Sequence, residues 1–256
     1  MIKLFIGILI IFYSQNSQIG DQVSESKSSE IREYRVERVQ DTISIDGKLN
    51  EPEWQDTAFT EDFVVHTNGA EPELATKAQM LWDDKNLYIA FTVSDNQIWA
   101  TMKNHDQPLW LEEAVEVFID PDGDGKNYIE LQANCLGTTL DLLMNKEFAK
   151  GGHTNYRWNL KGFTVGIDTV TYTEKNCNKW ICEMALPFKS ILSLAPTMNC
   201  PPAVGDRWRI NVCRIERDPS HRDSLEATCW NQTDSRGFHA PDKFGRIIFM
   251  DTDEKK

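Results

Sequence analysis

The segment that decides the fold runs Ala114-Val115-Glu116-Val117-Phe118-Ile119-Asp120. It returns, past Pro121-Asp122-Gly123-Asp124-Gly125, as Tyr128-Ile129-Glu130-Leu131-Gln132-Ala133-Asn134-Cys135. Val115, Val117 and Ile119 alternate with Glu116 and Phe118. In the second run Ile129, Leu131, Ala133 and Cys135 alternate with Tyr128, Glu130, Gln132 and Asn134. A period of two places each set on its own face of an extended chain, the aliphatic set inward. The short Gly/Asp link makes a hairpin of the two runs. Their outward residues then share one face, which carries Glu116, Phe118, Tyr128, Glu130, Gln132 and Asn134, with Arg209 and Asn211 of a third run nearby.

The same periodicity recurs along the chain. Leu87, Ile89, Phe91 and Val93 form one inward set, and Trp208, Ile210 and Val212 another, leaving Arg209 and Asn211 outward. Candidate strands fall at 34–39, 43–45, 78–82, 87–93, 114–120, 127–135, 138–144, 163–168, 180–186, 207–216 and 244–250. A helical turn is expected from Pro187 to Leu194, opened by its proline. Short alternating runs bounded by Gly, Pro, Asn and Asp, with no internal repeat, predict an all-β fold. The expected architecture is one antiparallel β-sandwich, jelly-roll-like, of about ten strands. Trp54 and Trp208 lie within apolar patterns and are expected in its core.

The two ends read differently. Met1-Ile2-Lys3, an apolar run from Leu4 to Tyr13 and Ser14-Gln15-Asn16-Ser17 resemble a secretory signal peptide spanning 1–17, so the mature chain is expected outside the cytoplasm. The apolar run is short of the roughly 20 residues that cross a bilayer, and no cysteine follows it to carry a lipid. Residues 18–32 are polar and aperiodic, as in a flexible leader; 33–250 form the domain and 251–256 a charged tail. With 40 acidic against 27 basic residues the net charge is −13. Such a surface repels nucleic acid and anionic membrane, and it suits a neutral or cationic ligand. Of six cysteines, Cys135, Cys182 and Cys213 lie in strand-like runs, as core residues do. Cys177 and Cys200 lie in loop-like stretches and are the pair best placed for a disulfide.

An exterior sheet face of amides, carboxylates and aromatic rings is suited to a sugar, through paired hydrogen bonds to hydroxyls and ring stacking. The competing expectation is an ordinary solvated face. Beyond this face, Trp158 in Asn155-Tyr156-Arg157-Trp158-Asn159 could rim a site, and the five histidines show no metal spacing.

Seven segments taken in order carry a resemblance. They are Ile45-Asp46-Gly47-Lys48-Leu49-Asn50-Glu51-Pro52-Glu53-Trp54, Asn86 to Asp95, Trp110-Leu111-Glu112-Glu113-Ala114-Val115-Glu116-Val117-Phe118-Ile119-Asp120-Pro121, Tyr128 to Asn134, Trp180 to Phe188, Gly205 to Asn211 and Phe238-His239-Ala240-Pro241-Asp242-Lys243-Phe244-Gly245. Together they resemble the family 9 carbohydrate-binding modules and their relatives in exported bacterial proteins, of the DOMON-like kind. The resemblance implies a β-sandwich that binds plant-type oligo- or polysaccharide without cleaving it, in support of carbohydrate catabolism and of partner glycoside hydrolases. It assigns one ring of a sugar clamp to Trp110 and the other to Phe238, where the family usually has tryptophan. The hydrogen-bonding carboxylate corresponds to Glu116 and an amide to Asn134. An arginine of the family's binding strand corresponds to Gln132, a departure.

Asp120, Asp122 and Asp124 alternate before Gly125, as at the start of a calcium loop, although Leu131 takes the place of the closing glutamate of an EF-hand. The resemblance adds structural calcium to that reading; the alternative is a plain hairpin turn. Two other functions are weighed against binding. A glycoside hydrolase needs two carboxyls about 5–10 Å apart, for which Glu116 and Glu130 are the candidates. A haem-holding sandwich needs an axial Met or His pair, which the spacing does not select.

Overall fold

In the computed structural model, which describes residues 30–172, 177–234 and 236–252, the chain folds into thirteen strands. They are β1 (Glu33–Arg38), β2 (Val64–Val65), β3 (Thr76–Trp82), β4 (Asn86–Asp95), β5 (Ala114–Asp120), β6 (Lys126–Ala133) and β7 (Thr139–Lys146). The remainder are β8 (Thr154–Asn155), β9 (Thr164–Tyr172), β10 (Cys177–Pro187), β11 (Arg207–Asp218), β12 (His221–Cys229) and β13 (Gly245–Met250). Two short helices, α1 (Pro52–Asp56) and α2 (Phe188–Ile191), complete it, the second inside the turn expected at Pro187. None of the described helices is long and apolar enough to cross a membrane.

Hydrogen bonding links the strands in the order β8-β7-β6-β5-β11-β13-β1-β3-β4-β10-β9, with β12 on the edge of β11 and β2 on β12. The sheet folds over itself, and one core fills the space between its halves. Val117, Ile129, Leu131 and Ile210 of one half meet Met80, Phe91, Trp180 and Met184 of the other. This is the expected sandwich, with Trp54 and Trp208 buried as the sequence indicated. It is not wholly antiparallel, because β1 runs parallel to both β13 and β3 at the fold-over. The strand expected at 43–45 is irregular chain instead. There Ile43 and Ile45 pack with Trp54, Leu81 and Tyr88 in a cluster on the outer side of β3, β4 and β10.

Two of the sequence segments meet across the molecule. Buried Glu183 on β10 accepts the Gly47 N–H at 2.7 Å and the Asp46 N–H at 3.1 Å through Oε2, and the Trp54 indole N–H at 2.8 Å through Oε1. Gly47, at φ +83°, and Gly166 on β9 let the backbones touch here. A Cβ on Gly47 would lie 2.4 Å from the Ile167 carbonyl carbon, and one on Gly166 would lie 2.6 Å from the Gly47 nitrogen.

The Glu112-Glu113 pair does different work from the Glu116 that follows it. Glu112 accepts from Thr101 and from the Met102 N–H, which ties down the loop after β4. Glu113 meets Arg214 of β11 at 2.9 Å; the same guanidinium reaches Asp95 of β4 at 3.3 Å, Glu216, and the Ser94 carbonyl at 2.7 Å. Arg214, Glu113 and Asp95 are all buried, so this ion cluster rivets the two halves of the sandwich at one end.

The signal-peptide and leader residues up to 29, and the last four of the tail, lie outside the described residues. Arg32, assigned to the leader, is already held: its N–H donates to Asn231 at 2.8 Å and its guanidinium to the Asp62 carbonyl at 3.0 Å. Cys135, Cys182, Cys213 and Cys229 are buried free thiols, and Cys200 is an exposed one; the side chain of Cys177, its expected partner, lies outside the described residues.

Candidate binding cleft

The hairpin forms as expected, β5 pairing with β6 in the register Glu116↔Gln132 and Phe118↔Glu130. Its alternation is also as expected, since the aliphatic set lies in the main core. The outward face, however, is neither solvated nor flat. Phe118, Tyr128, Cys213, Ile215, Cys229, Phe238 and Phe244 make a second apolar cluster on it. Glu116, Glu130, Gln132, Asn134 and Asn211 are all under 5% exposed. The covering comes from the chain between β12 and β13. The Asn211 side chain exchanges hydrogen bonds with the Asn231 backbone at 2.9 Å in both directions, and Asn231 donates to the Lys243 carbonyl at 2.6 Å. Asn211 therefore anchors a loop and is not turned to a ligand.

A cleft of about 330 Å³ remains open in this cover. Its floor is Glu116 and Phe118 from β5, Glu130 from β6 and Ile215 from β11. Trp110, on the turn just before β5, forms one wall; Phe148, Tyr156, Phe238 and His239 complete the rim. Phe148 and Tyr156 are exposed by about half, whereas Phe238 is only 7% exposed and packs edge-on against Phe118 at 5.9 Å. The Phe238 loop is pinned from outside by Arg236, which pairs with Glu147 at 2.7 Å, Asp242 at 2.9 Å and Asp234 at 2.8 Å. Those bonds hold the Asp234 carboxyl down at about 2.

The five residues expected to hold sugar thus divide. Trp110, Glu116 and Phe238 line the cleft together. Gln132 lies beneath it and donates to Glu130 at 2.6 Å. Asn134 is engaged elsewhere: its Nδ2 donates to the Met102 carbonyl at 2.9 Å, and its Oδ1 accepts the N–H groups of Leu136 and Thr138. Trp158 packs against the main core and borders a separate surface hollow; Tyr156, two residues earlier, takes the rim position. Phe148 and His239 add to the site without a periodic signal, since Phe148 opens a single 3-10 turn (Phe148–Lys150) and His239 stands in irregular chain.

Burial governs the electrostatics of the floor. It raises Glu116 well above the ordinary carboxyl range, and the neighbouring Glu130 charge raises it further. Burial takes Glu130 to about 7, against the hydrogen bond from Gln132. His239, 3.6 Å from Glu130, is lowered to about 4 by burial and is neutral at physiological pH. Of three larger hollows, those of about 660 and 670 Å³ have no phenylalanine, tyrosine or tryptophan in their walls, and that of about 560 Å³ has Trp158 alone.

At the far end of the hairpin, carboxylate oxygens of Asp120, Asp122 and Asp124 come within 4.8 Å of one another. Asp120 accepts the N–H groups of Gly123 and Gly125, and Asp124 that of Lys126, as turn-forming aspartates do. Burial raises Asp120 to about 6, with Asp122 and Asp124 adding to the rise. Arg209, 3.8 Å away, and Lys126, 3.6 Å from Asp124, offset part of the repulsion. The donor set is all hard oxygen and fits the start of a calcium site, with the remaining ligands left to carbonyls and water.

Comparison with known proteins agrees with the fold. Residues 45–252 match the family described as "Carbohydrate family 9 binding domain-like". The exoglucanase XynX of Acetivibrio thermocellus is 29% identical over 159 residues, 61% of this chain and 12% of that protein. An endo-1,4-beta-xylanase A of Thermoanaerobacterium saccharolyticum is 31% identical over 183 residues, 70% of this chain and 13% of that protein. The chain thus spans only about an eighth of the length of these relatives. A carbohydrate binding module family 9 from Caldicellulosiruptor kristjanssonii, solved in complex with cellotriose, superposes with a TM-score of 0.59 at 16% identity. That match covers 87% of this chain and 96% of the other. On the family match over most of its length, the chain belongs to the carbohydrate family 9 binding domain-like family.

Proposed function

We propose that the chain binds saccharides, without turning them over, in the cleft between Trp110, Phe148, Tyr156 and Phe238. The observation that carries this reading is the pairing of an aromatic-walled opening with a carboxyl floor. Rings stack on the apolar face of a pyranose, and carboxyl oxygens accept from its hydroxyls. Membership of the family, and the plant-polysaccharide enzymes of which its relatives form a part, support it. The role is support of polysaccharide breakdown carried out by glycoside hydrolases. Calorimetric titration with xylo- and cello-oligosaccharides should give saturable binding at one site, with no sugar released during prolonged incubation. Binding to none of them would remove the reading. Released sugar that vanishes in Glu116→Gln would make Glu116 and Glu130 the carboxyl pair of a hydrolase instead.

Asp120, Asp122 and Asp124 are proposed to hold a structural calcium ion at the tip of the β5–β6 hairpin. Chelation should then lower the melting temperature, and Asp122→Ala should abolish that response. A melting curve indifferent to chelator leaves a plain turn.

A further inference from the structure

The floor of the cleft carries a buried carboxyl pair that the protein leaves without a counter-ion. Glu116 and Glu130 are 2% and 4% exposed, and among the described residues neither has a lysine or arginine within ion-pair distance. Glu130 Oε1 accepts from Gln132, which is neutral, while its buried Oε2 has no hydrogen-bond partner. His239 stands 3.6 Å from that oxygen, beyond hydrogen-bond distance and uncharged at neutral pH. The other ionisable groups around this face are the thiols of Cys213 on β11 and Cys229 on β12, the phenols of Tyr128 on β6 and Tyr156 on the rim, Arg209 on β11, which lies by Asp120, and Glu147, which pairs with Arg236. Burial raises Cys213 and Tyr128, so neither adds charge. A buried carboxyl pair with no counter-ion is poorly solvated and gains most from a ligand that brings a cation. The walls favour the same charge, because the faces of Trp110, Phe148 and Tyr156 attract cations. The net charge of −13 draws cations toward the protein from a distance.

We infer that the preferred ligand of this cleft is a saccharide bearing a protonated amine, an oligomer of 2-amino-2-deoxyhexose, whose ammonium is received by Glu116 and Glu130 between the aromatic walls. The inference rests on the reading of the cleft as a saccharide site and adds the charge of the sugar. It is tested by titrating the protein with three trisaccharides that differ only at C2: cellotriose, its β-1,4-linked glucosamine counterpart and the N-acetylated form. At pH about 7.5 and about 0.15 M salt, the glucosamine trimer should bind about tenfold or more tighter than the other two. Lowering the pH to about 5.5 protonates Glu130, raised to about 7 by burial, while it also completes protonation of the sugar amine, so the preference should pass through a maximum between the two pH values and fall toward the acid end. Glu130→Gln, and independently Glu116→Gln, should bring the ratio of amine to neutral binding close to one. A glucosamine trimer that binds no tighter than cellotriose overturns the inference and leaves the saccharide reading standing. A preference that survives both substitutions also overturns it, since it then belongs to the overall charge. Binding of none of the three removes the saccharide reading itself.

Discussion

Replacing Arg214 with methionine is expected to destabilise the fold by about 3–5 kcal/mol, the range found when one partner of a buried ion cluster is removed. The guanidinium serves Glu113 at 2.9 Å, Asp95 at 3.3 Å and Glu216 at once, and it is only 1% exposed. Three carboxyls around one cation are over-charged, and burial with the neighbouring carboxyls raises Glu113 to about 10, so Glu113 holds its proton at neutral pH. Taking Arg214 away leaves the ionised remainder in the interior with no compensation. Adding Glu113→Gln to Arg214→Met should recover little, because that carboxyl is already neutral. Adding Asp95→Asn should recover more. Denaturant unfolding measures all of these, and a loss below about 1 kcal/mol for Arg214→Met would place the cluster in water-like surroundings.

Glu183→Leu should cost about 2–4 kcal/mol by leaving the Trp54 indole and the Gly47 N–H buried and unpaired, while the Asp46 N–H keeps the Ser44 carbonyl. Leucine is close to glutamate in volume, so the effect reports the hydrogen bonds more than packing. Trp54→Phe removes one of these donors with its acceptor intact, and should cost less than Glu183→Leu. Equal stability of Glu183→Leu and wild type would mean that the Ile45–Trp54 segment is held by apolar contact alone.

Much of this fold is legible in the order of residues because alternation is local. Val115, Val117 and Ile119 face the core for reasons contained in those few positions. The nature of the opposite face is not local. Glu116, Glu130 and Asn211 read as outward and are buried because the chain that follows β12 folds over them, held there by the contact of Asn211 on β11 with Asn231 beyond β12. β12 escapes the same reading because His221-Arg222-Asp223-Ser224-Leu225-Glu226 has no apolar period; its pairing with β11 comes from the hairpin that joins them. The parallel course of β1 is likewise set by β13, at the other end of the chain.

Of the site, Trp110, Glu116 and Phe238 are legible through family resemblance, and Glu116 also through strand alternation. Phe148 and Tyr156 are not, since one opens a short 3-10 turn and the other follows β8 in a turn, and each reaches the cleft only once β7 and β8 are in place. Asn134 shows the converse limit. The alternation places it on the right face, but the tight turn at Leu136–Thr138 takes up its amide.

The most direct test of the central claim compares wild type with Trp110→Ala and Trp158→Ala, titrated with the oligosaccharide that binds wild type best. Trp110 walls the cleft, whereas Trp158 borders a different hollow, so the pair separates the site from the general loss of an indole. A stacked ring contributes about 1–2 kcal/mol, so Trp110→Ala should bind roughly five- to thirtyfold more weakly while Trp158→Ala binds as wild type does. Equal affinity in Trp110→Ala and wild type, or a loss confined to Trp158→Ala, would contradict the placement of the sugar in this cleft.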